Sequence, residues 1–189
     1  KTTSTIWAHH FLRPAIAGGN IPNAGLFKII ENITNSKKNI SLILELSSFQ
    51  LEFLKKGLMS PKIAAITNLR GDHLNRYKAM DVYAKMKANI FLNQTKKDFL
   101  ILNYDDKNKN FFLKEKPKSR IFYISLHKLP ANENGLYFTA DKIYFQFNRE
   151  KEFVAETSDF SGHQKYNLLT ALLTACLYNY GGLNMALGG

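Results

Sequence analysis

Four short runs of almost unbroken apolar residues constrain this chain more than any other feature. They are Ile40-Ser41-Leu42-Ile43-Leu44-Glu45-Leu46, Ile63-Ala64-Ala65-Ile66-Thr67-Asn68, Phe99-Leu100-Ile101-Leu102-Asn103 and Ile121-Phe122-Tyr123-Ile124. None alternates polar with apolar residues, as a half-exposed strand would. Strands with this pattern are expected to be covered on both faces, which is the situation of parallel strands in an α/β protein. Helical patterns lie between and around the runs, at about residues 2–12, 49–57 and 79–94. Strands that alternate with helices imply crossover connections. The expected fold class is α/β: a doubly wound, mostly parallel sheet with helices on both faces.

The stretch 135–155 follows another rule. Leu136-Tyr137-Phe138-Thr139, a turn at Ala140-Asp141, and Lys142-Ile143-Tyr144-Phe145-Gln146-Phe147 read as a hairpin, with a third short strand at about 152–155. A small antiparallel sheet appended to the main one is expected there. Gln164 to Tyr180 is a strongly apolar helix that Gly181-Gly182 should end. A chain of 189 residues fits one domain, and no internal repeat or low-complexity tract interrupts it.

Composition excludes several classes. A 45% hydrophobic content supports a packed core rather than disorder. No apolar run is long enough to span a bilayer, so no membrane insertion is expected. The single cysteine, Cys176, lies in an apolar helical pattern and reads as a buried structural thiol; with no disulfide partner it favours a cytoplasmic location. The chain opens without a signal pattern and without Met, which suggests a piece of something longer. The net charge of +11 invites nucleic acid, yet the lysines are scattered over element ends and loops. A solvated lysine-rich surface, or a preference for small anions such as nucleotides, accounts for it better.

Ligands of open α/β sheets bind beyond the carboxyl ends of the strands. At the first exit, Glu45 closes an apolar run, which is costly unless the carboxylate is paired or holds a cation. Ser47 and Gln50 are its hydrogen-bonding neighbours; equally, the segment is a helix cap with Ser47 or Ser48 as the capping residue. At the second exit, Asp72, His73 and Arg76 follow a buried strand. His73 could ligate a metal and Arg76 could grip phosphate through its fork. Lys87 falls among Tyr83, Met86, Ile90 and Phe91 on a helix face, where burial would lower its pKa and leave an amine able to form a carbamate; the plain alternative is a snorkelling lysine. Lys1-Thr2-Thr3 has the form of the end of a phosphate loop. Ser161-Gly162-His163-Gln164-Lys165-Tyr166-Asn167 precedes the apolar helix, and helix capping is its favoured reading.

Taken in order, these segments resemble the Mur ligases. Glu45-Leu46-Ser47-Ser48-Phe49-Gln50-Leu51-Glu52 is similar over eight residues to the signature of the D-glutamate-adding members; members adding other residues usually differ at Phe49 and Gln50. Asp72-His73-Leu74, the helix from Tyr83 to Phe91 with Lys87, Gly18-Gly19-Asn20-Ile21 and Gly162-His163 to Asn167 keep the family's order. The resemblance covers essentially the entire chain and implies the family's central ATP-binding domain, with a sheet of the P-loop ATPase type. It implies a fragment, 1–189, without the N-terminal UDP-binding domain or the C-terminal domain, inactive alone and monomeric.

The implied activity is an ATP-dependent amide ligation in peptidoglycan precursor synthesis. It joins D-glutamate to UDP-N-acetylmuramoyl-L-alanine through an acyl phosphate. The implied cofactors are ATP and two Mg²⁺ ions. Lys1, Thr2 and Thr3 would contact nucleotide, with Thr2 and Glu45 on one Mg²⁺. His73 and Lys87, the latter as a carbamate, would hold the second. Asn20, Ser47 and Gln50 would face the muramoyl substrate; Arg76, Gln164 and Asn167 would face the nucleotide. Glu45, His73 and Lys87 would be the catalytic set. Asn75 stands where the family usually has Asp, and Gln164 where it has Asn. Another Mur ligase, a folylpolyglutamate synthase-like ligase, a basic nucleic-acid-binding module and a catalytically silent scaffold are the alternatives.

Overall fold

The apolar runs become strands, but in two separate hydrogen-bonded ladders. The structure is a computed structural model that describes residues 1–22, 25, 29–30, 33–34, 40–54, 57–71 and 74–186. β1 (Ile16–Gly19) and β2 (Leu42–Glu45) form a parallel two-stranded ladder in which Gly19 lies opposite Glu45. Then come β3 (Ile63–Ile66), β4 (Phe99–Asn103), β5 (Arg120–Ser125), β6 (Gly135–Thr139), β7 (Lys142–Phe147) and β8 (Glu150–Glu156), in that spatial order in one sheet. β3 to β6 are parallel; β6, β7 and β8 are antiparallel. The expected antiparallel strands are thus appended edge-on, continuing the main sheet through β6.

The run at 40–46 contributes only Leu42–Glu45, and it is not covered on both faces as expected. Leu42 and Leu44 are exposed, because β2 sits in a two-stranded ladder rather than within the large sheet. β4, paired on both sides by β3 and β5, is buried at all five positions. Its residues divide by parity, as alternation across a strand requires. Leu100 and Leu102 join Tyr77, Tyr83, Ala88, Phe91 and Phe112 on one face. Phe99 and Ile101 join Phe122, Phe138, Leu169, Leu173 and Leu177 on the other.

Those two faces are covered by helices. α1 is Thr2–Phe11, α2 Ser48–Leu51, α3 Leu74–Tyr77, α4 Met80–Ala88, α5 Lys109–Lys114 and α6 Gly162–Ala186, with a 3₁₀ turn at Asn89–Phe91 after α4. α4 and α5 pack on the Leu100 face and α6 on the Phe99 face. Two helices differ from expectation. The pattern at 49–57 yields only the single turn Ser48–Leu51, since Glu52 already caps it and Gly57 has φ +93°. α6 runs through Gly181-Gly182 to Ala186. Glycine costs a helix about 1 kcal/mol per residue but does not forbid it, and no proline follows.

Turn chemistry closes the antiparallel edge. Asn148 and Arg149 both adopt positive φ, 51° and 72°, in the two-residue link between β7 and β8, the geometry that matches the twist of a tight hairpin. β8 is a charged outer strand carrying Glu150, Lys151, Glu152 and Glu156, which discourages pairing with a further strand.

Candidate functional site

Glu45 is the last residue of β2 and is only 5% exposed. A buried carboxylate needs donors, and three side chains supply them. Thr2 Oγ1 donates to Oε2 at 2.6 Å. Asn20 Nδ2 donates to Oε1 at 3.3 Å. Lys1 Nζ lies 3.5 Å from Oε1 and also 3.5 Å from the carbonyl of Leu46. Lys1, Thr2, Asn20 and Glu45 thus meet at the carboxyl end of the small ladder.

Backbone geometry fixes this mouth. The Asn20 N–H donates to the Glu45 carbonyl at 2.7 Å, extending the ladder by one bond. Gly19 has φ +98°, and a Cβ there would lie 2.3 Å from the Glu45 carbonyl oxygen. Only glycine fits both conditions. On the other side, no side chain among the described residues caps the first turn of α1 beside Thr2. Thr3 is exposed on that turn.

Lys87 joins the same neighbourhood. It is half-buried, and its ammonium lies over the Tyr83 ring at 4.9 Å. Tyr83 stacks in turn on Tyr77 at 5.1 Å. The carboxylate of Glu45 and the ammonium of Lys87 both lie within electrostatic reach of the first residue of the chain. Lys1, Glu45 and Lys87 thus share one electrostatic neighbourhood. His73 and its neighbour Asp72 lie outside the described residues. Among the described residues, no three of His, Cys, Asp and Glu gather as a metal cluster. The donors on hand for a cation are one carboxylate and one hydroxyl, both hard oxygen ligands.

Other expected contacts have protein partners. Ser47 caps α2 and accepts from the Gln50 N–H at 3.2 Å, while Gln50 Oε1 accepts from the Ser47 N–H at 2.8 Å. The pair is a capping box, so the capping alternative describes the local bonds of both residues. Arg76 does not present a free fork: it binds Glu52 at 2.8 and 3.2 Å and lies 4.9 Å over the Phe49 ring. That fork, with the Tyr77 hydroxyl, holds the Glu52 carboxyl below the usual range. Asn75 is exposed on α3.

At the start of α6, Gln164 Oε1 accepts from the Ser161 N–H and hydroxyl, each at 2.9 Å. The favoured capping reading of this segment describes Gln164. Asn167 Oδ1 accepts from Ser4 Oγ at 2.9 Å. The Arg70 Nη2 and His163 Nε2 atoms are 3.5 Å apart. Cys176 is half-buried rather than buried as expected; burial still raises its thiol, which disfavours the reactive thiolate.

One polar cluster was not anticipated. Beyond β4, Asp106 Oδ2 accepts the Leu69 N–H at 2.6 Å and Asn108 Nδ2 donates to the Leu69 carbonyl at 2.8 Å. Asp105 accepts from Ser125 Oγ at 2.8 Å, the Leu126 N–H at 2.7 Å and the Tyr166 hydroxyl at 2.8 Å. This turn ties the exits of β3 and β5 to α6. Asn103-Tyr104-Asp105-Asp106 follows an apolar run, so the same strand-exit rule that singled out Glu45 could have found it.

Comparisons place these features in a lineage. A family model described as the Mur ligase middle domain matches residues 1–175. A UDP-N-acetylmuramoylalanine–D-glutamate ligase of Clostridioides difficile is 36% identical over 181 residues, covering 93% of this chain and 38% of that protein. One from Caldanaerobacter subterraneus is 32% identical over 189 residues, covering 98% of this chain and 39% of that protein. The chain thus spans about two-fifths of the length of these relatives. A solved UDP-N-acetylmuramoyl-L-alanyl-D-glutamate–2,6-diaminopimelate ligase superposes with a TM-score of 0.67 at 21% identity, over 95% of this chain and 41% of its own. At that identity the superposition speaks for the fold alone.

Proposed function

This chain belongs to the Mur ligase family, whose middle domain it carries, and from that premise we propose that it is the ATP-handling part of a ligase that joins D-glutamate to UDP-N-acetylmuramoyl-L-alanine. The observation that carries the reading is the buried Glu45 carboxylate, drawn on by Lys1, Thr2 and Asn20 at one strand exit. The 36% identity to a D-glutamate-adding relative supports the choice of amino acid.

Amide formation from a carboxylate and an amine requires activation. The alanyl carboxylate attacks the γ-phosphate of ATP, ADP leaves, and the amine of D-glutamate displaces phosphate from the acyl phosphate through a tetrahedral intermediate. The first step brings two anions together, so catalysis consists mainly of charge neutralisation and alignment. Lys1 supplies a cation beside the start of α1. The open first turn of α1 offers N–H groups to phosphate oxygens. Glu45 and Thr2 Oγ1 fit Mg²⁺, being hard oxygen donors 2.6 Å apart. A bound Mg²⁺ supplies further neutralisation of the triphosphate. Lys87, as a carbamate, and His73 would hold a second ion, which the half-buried position of Lys87 near Lys1 and Glu45 supports.

Asn20 would shift from Glu45 toward the muramoyl substrate. Ser47 and Gln50 would reach that substrate only by exchanging partners in their capping box, and Arg76 would reach nucleotide only by leaving Glu52.

The test is phosphate release by the protein with its flanking sequence, in ATP and Mg²⁺. Turnover should require UDP-N-acetylmuramoyl-L-alanine and D-glutamate together. Turnover with L-lysine or meso-diaminopimelate in place of D-glutamate would overturn the assignment of the amino acid. Full turnover after Lys87→Ala would remove that lysine from the mechanism.

A further inference from the structure

Ser4 belongs to none of the sites expected from the sequence, yet it makes the longest-range side-chain bond of the described chain. It lies on the first turn of α1, is 5% exposed, and donates from Oγ to Asn167 Oδ1 at 2.9 Å, across 163 positions. α1 and α6 pack along each other around this contact.

The bond occupies the amide oxygen of Asn167. Nδ2, which carries two donor hydrogens, has no partner among the described residues. An asparagine amide is almost the same shape in either of its two flips. Without an anchor it presents oxygen or N–H₂ with similar ease, and a ligand must select one. A hydroxyl can donate or accept, so what Ser4 fixes is the place of the amide; in this arrangement it takes the oxygen and leaves N–H₂ for a ligand. Thr2, on the same turn as Ser4, donates to Glu45 at 2.6 Å. One turn of helix therefore carries both the residue at the proposed phosphate end and the residue that holds Asn167.

We propose that Ser4 is a positioning residue, which holds the Asn167 amide in place so that its other end, N–H₂ in this arrangement, is offered to the base of the nucleotide. The ligand chemistry implied is a ring-nitrogen acceptor on a purine. The proposal rests on the reading of Asn167 as a nucleotide contact. It also couples base recognition to α1, since the same short helix presents Lys1 and Thr2.

The test uses the full-length protein under steady-state conditions with saturating substrates other than ATP. Ser4→Ala should raise KM for ATP about three- to tenfold, the equivalent of one hydrogen bond. The turnover number should stay within about twofold, because the interaction is made equally in ground and transition states. Ser4→Thr keeps the hydroxyl and should restore the parent KM. Asn167→Asp keeps the oxygen that Ser4 binds but replaces the donor with an acceptor, so its KM should rise at least as far. A parent-like KM in Ser4→Ala, beside a raised KM in Asn167→Asp, would overturn the role of Ser4 and leave Asn167 as a nucleotide contact. Parent-like values in both variants would sink both statements. A drop in turnover for Ser4→Ala that Ser4→Thr does not reverse would also overturn it, marking the bond as helix packing only.

Discussion

Two carboxylate-bearing turns stand at the carboxyl ends of strands in this molecule, and they are satisfied in opposite ways. At the mouth of the small ladder, the partners of the Glu45 carboxylate among the described residues are side chains: a lysine, a threonine hydroxyl and an asparagine amide. Beyond β4, Asp105 and Asp106 accept the backbone N–H groups of Leu126, Leu69 and Asn108, besides two hydroxyls. A backbone N–H held by a carboxylate is part of the architecture, since nothing else can take its place without moving the chain. A side-chain donor can rotate away when a ligand arrives. The first arrangement suits a site that exchanges partners; the second suits a joint.

Glu45→Gln is the harshest trial of that contrast. It keeps the shape and removes the charge, so ligase turnover in the full-length protein should fall by about 10²–10³-fold, on the scale of other lost electrostatic contacts. Its urea midpoint should stay near that of the parent. Asp106→Ala should act the other way round: it strands the Leu69 N–H in a buried place, at a cost of about 1–3 kcal/mol in urea unfolding. If Glu45→Gln proved the more destabilising of the two, the distinction between site and joint would be lost.

A smaller effect is expected from Ser47→Ala. It breaks the capping box of α2, costing about 1 kcal/mol of stability. A much larger loss of turnover than of stability would instead promote Ser47 to a substrate contact.

The gentlest trial is acid. Arg76 and Tyr77 hold the Glu52 carboxyl below its ordinary pKa. A depressed folded pKa contributes stability above the unfolded value, near 4.5, that is lost as pH falls through the folded value. Urea midpoints of the parent should therefore decline below about pH 4.5. Arg76→Ala should flatten that part of the decline, and an unchanged acid limb would show that the exposed Arg76–Glu52 pair adds nothing measurable.

How far the sequence reveals this depends on the range of the interaction. The strands of the large sheet are legible because runs such as Phe99 to Asn103 can only be buried. β1 is not, since Ile16-Ala17-Gly18-Gly19 is half glycine and carries a single β-branched residue. α5, six residues long, offers too few turns for a period to show. Glu45 was legible through the cost of a carboxylate at the end of an apolar run. Helix capping was legible at Ser47 and in the 161–167 segment, because the capping box of Ser47 with Gln50 and the bonds of Ser161 to Gln164 are purely local. The pairing of Arg76 with Glu52 was not, because the fork finds its partner 24 residues earlier, through tertiary packing. The Ser4–Asn167 bond was still less so, as it joins the first helix to the last.

The approach of Gly19 to the Glu45 carbonyl has a genetic consequence. Any mutation there must push β1 away from β2, and with it the backbone that aims the carboxylate. Position 19 is therefore a place where the proposed activity should be lost through a backbone shift rather than through a lost side-chain contact. Suppressors of such a mutation should map to the segments flanking the β1–β2 ladder rather than to Lys1, Thr2 or Lys87.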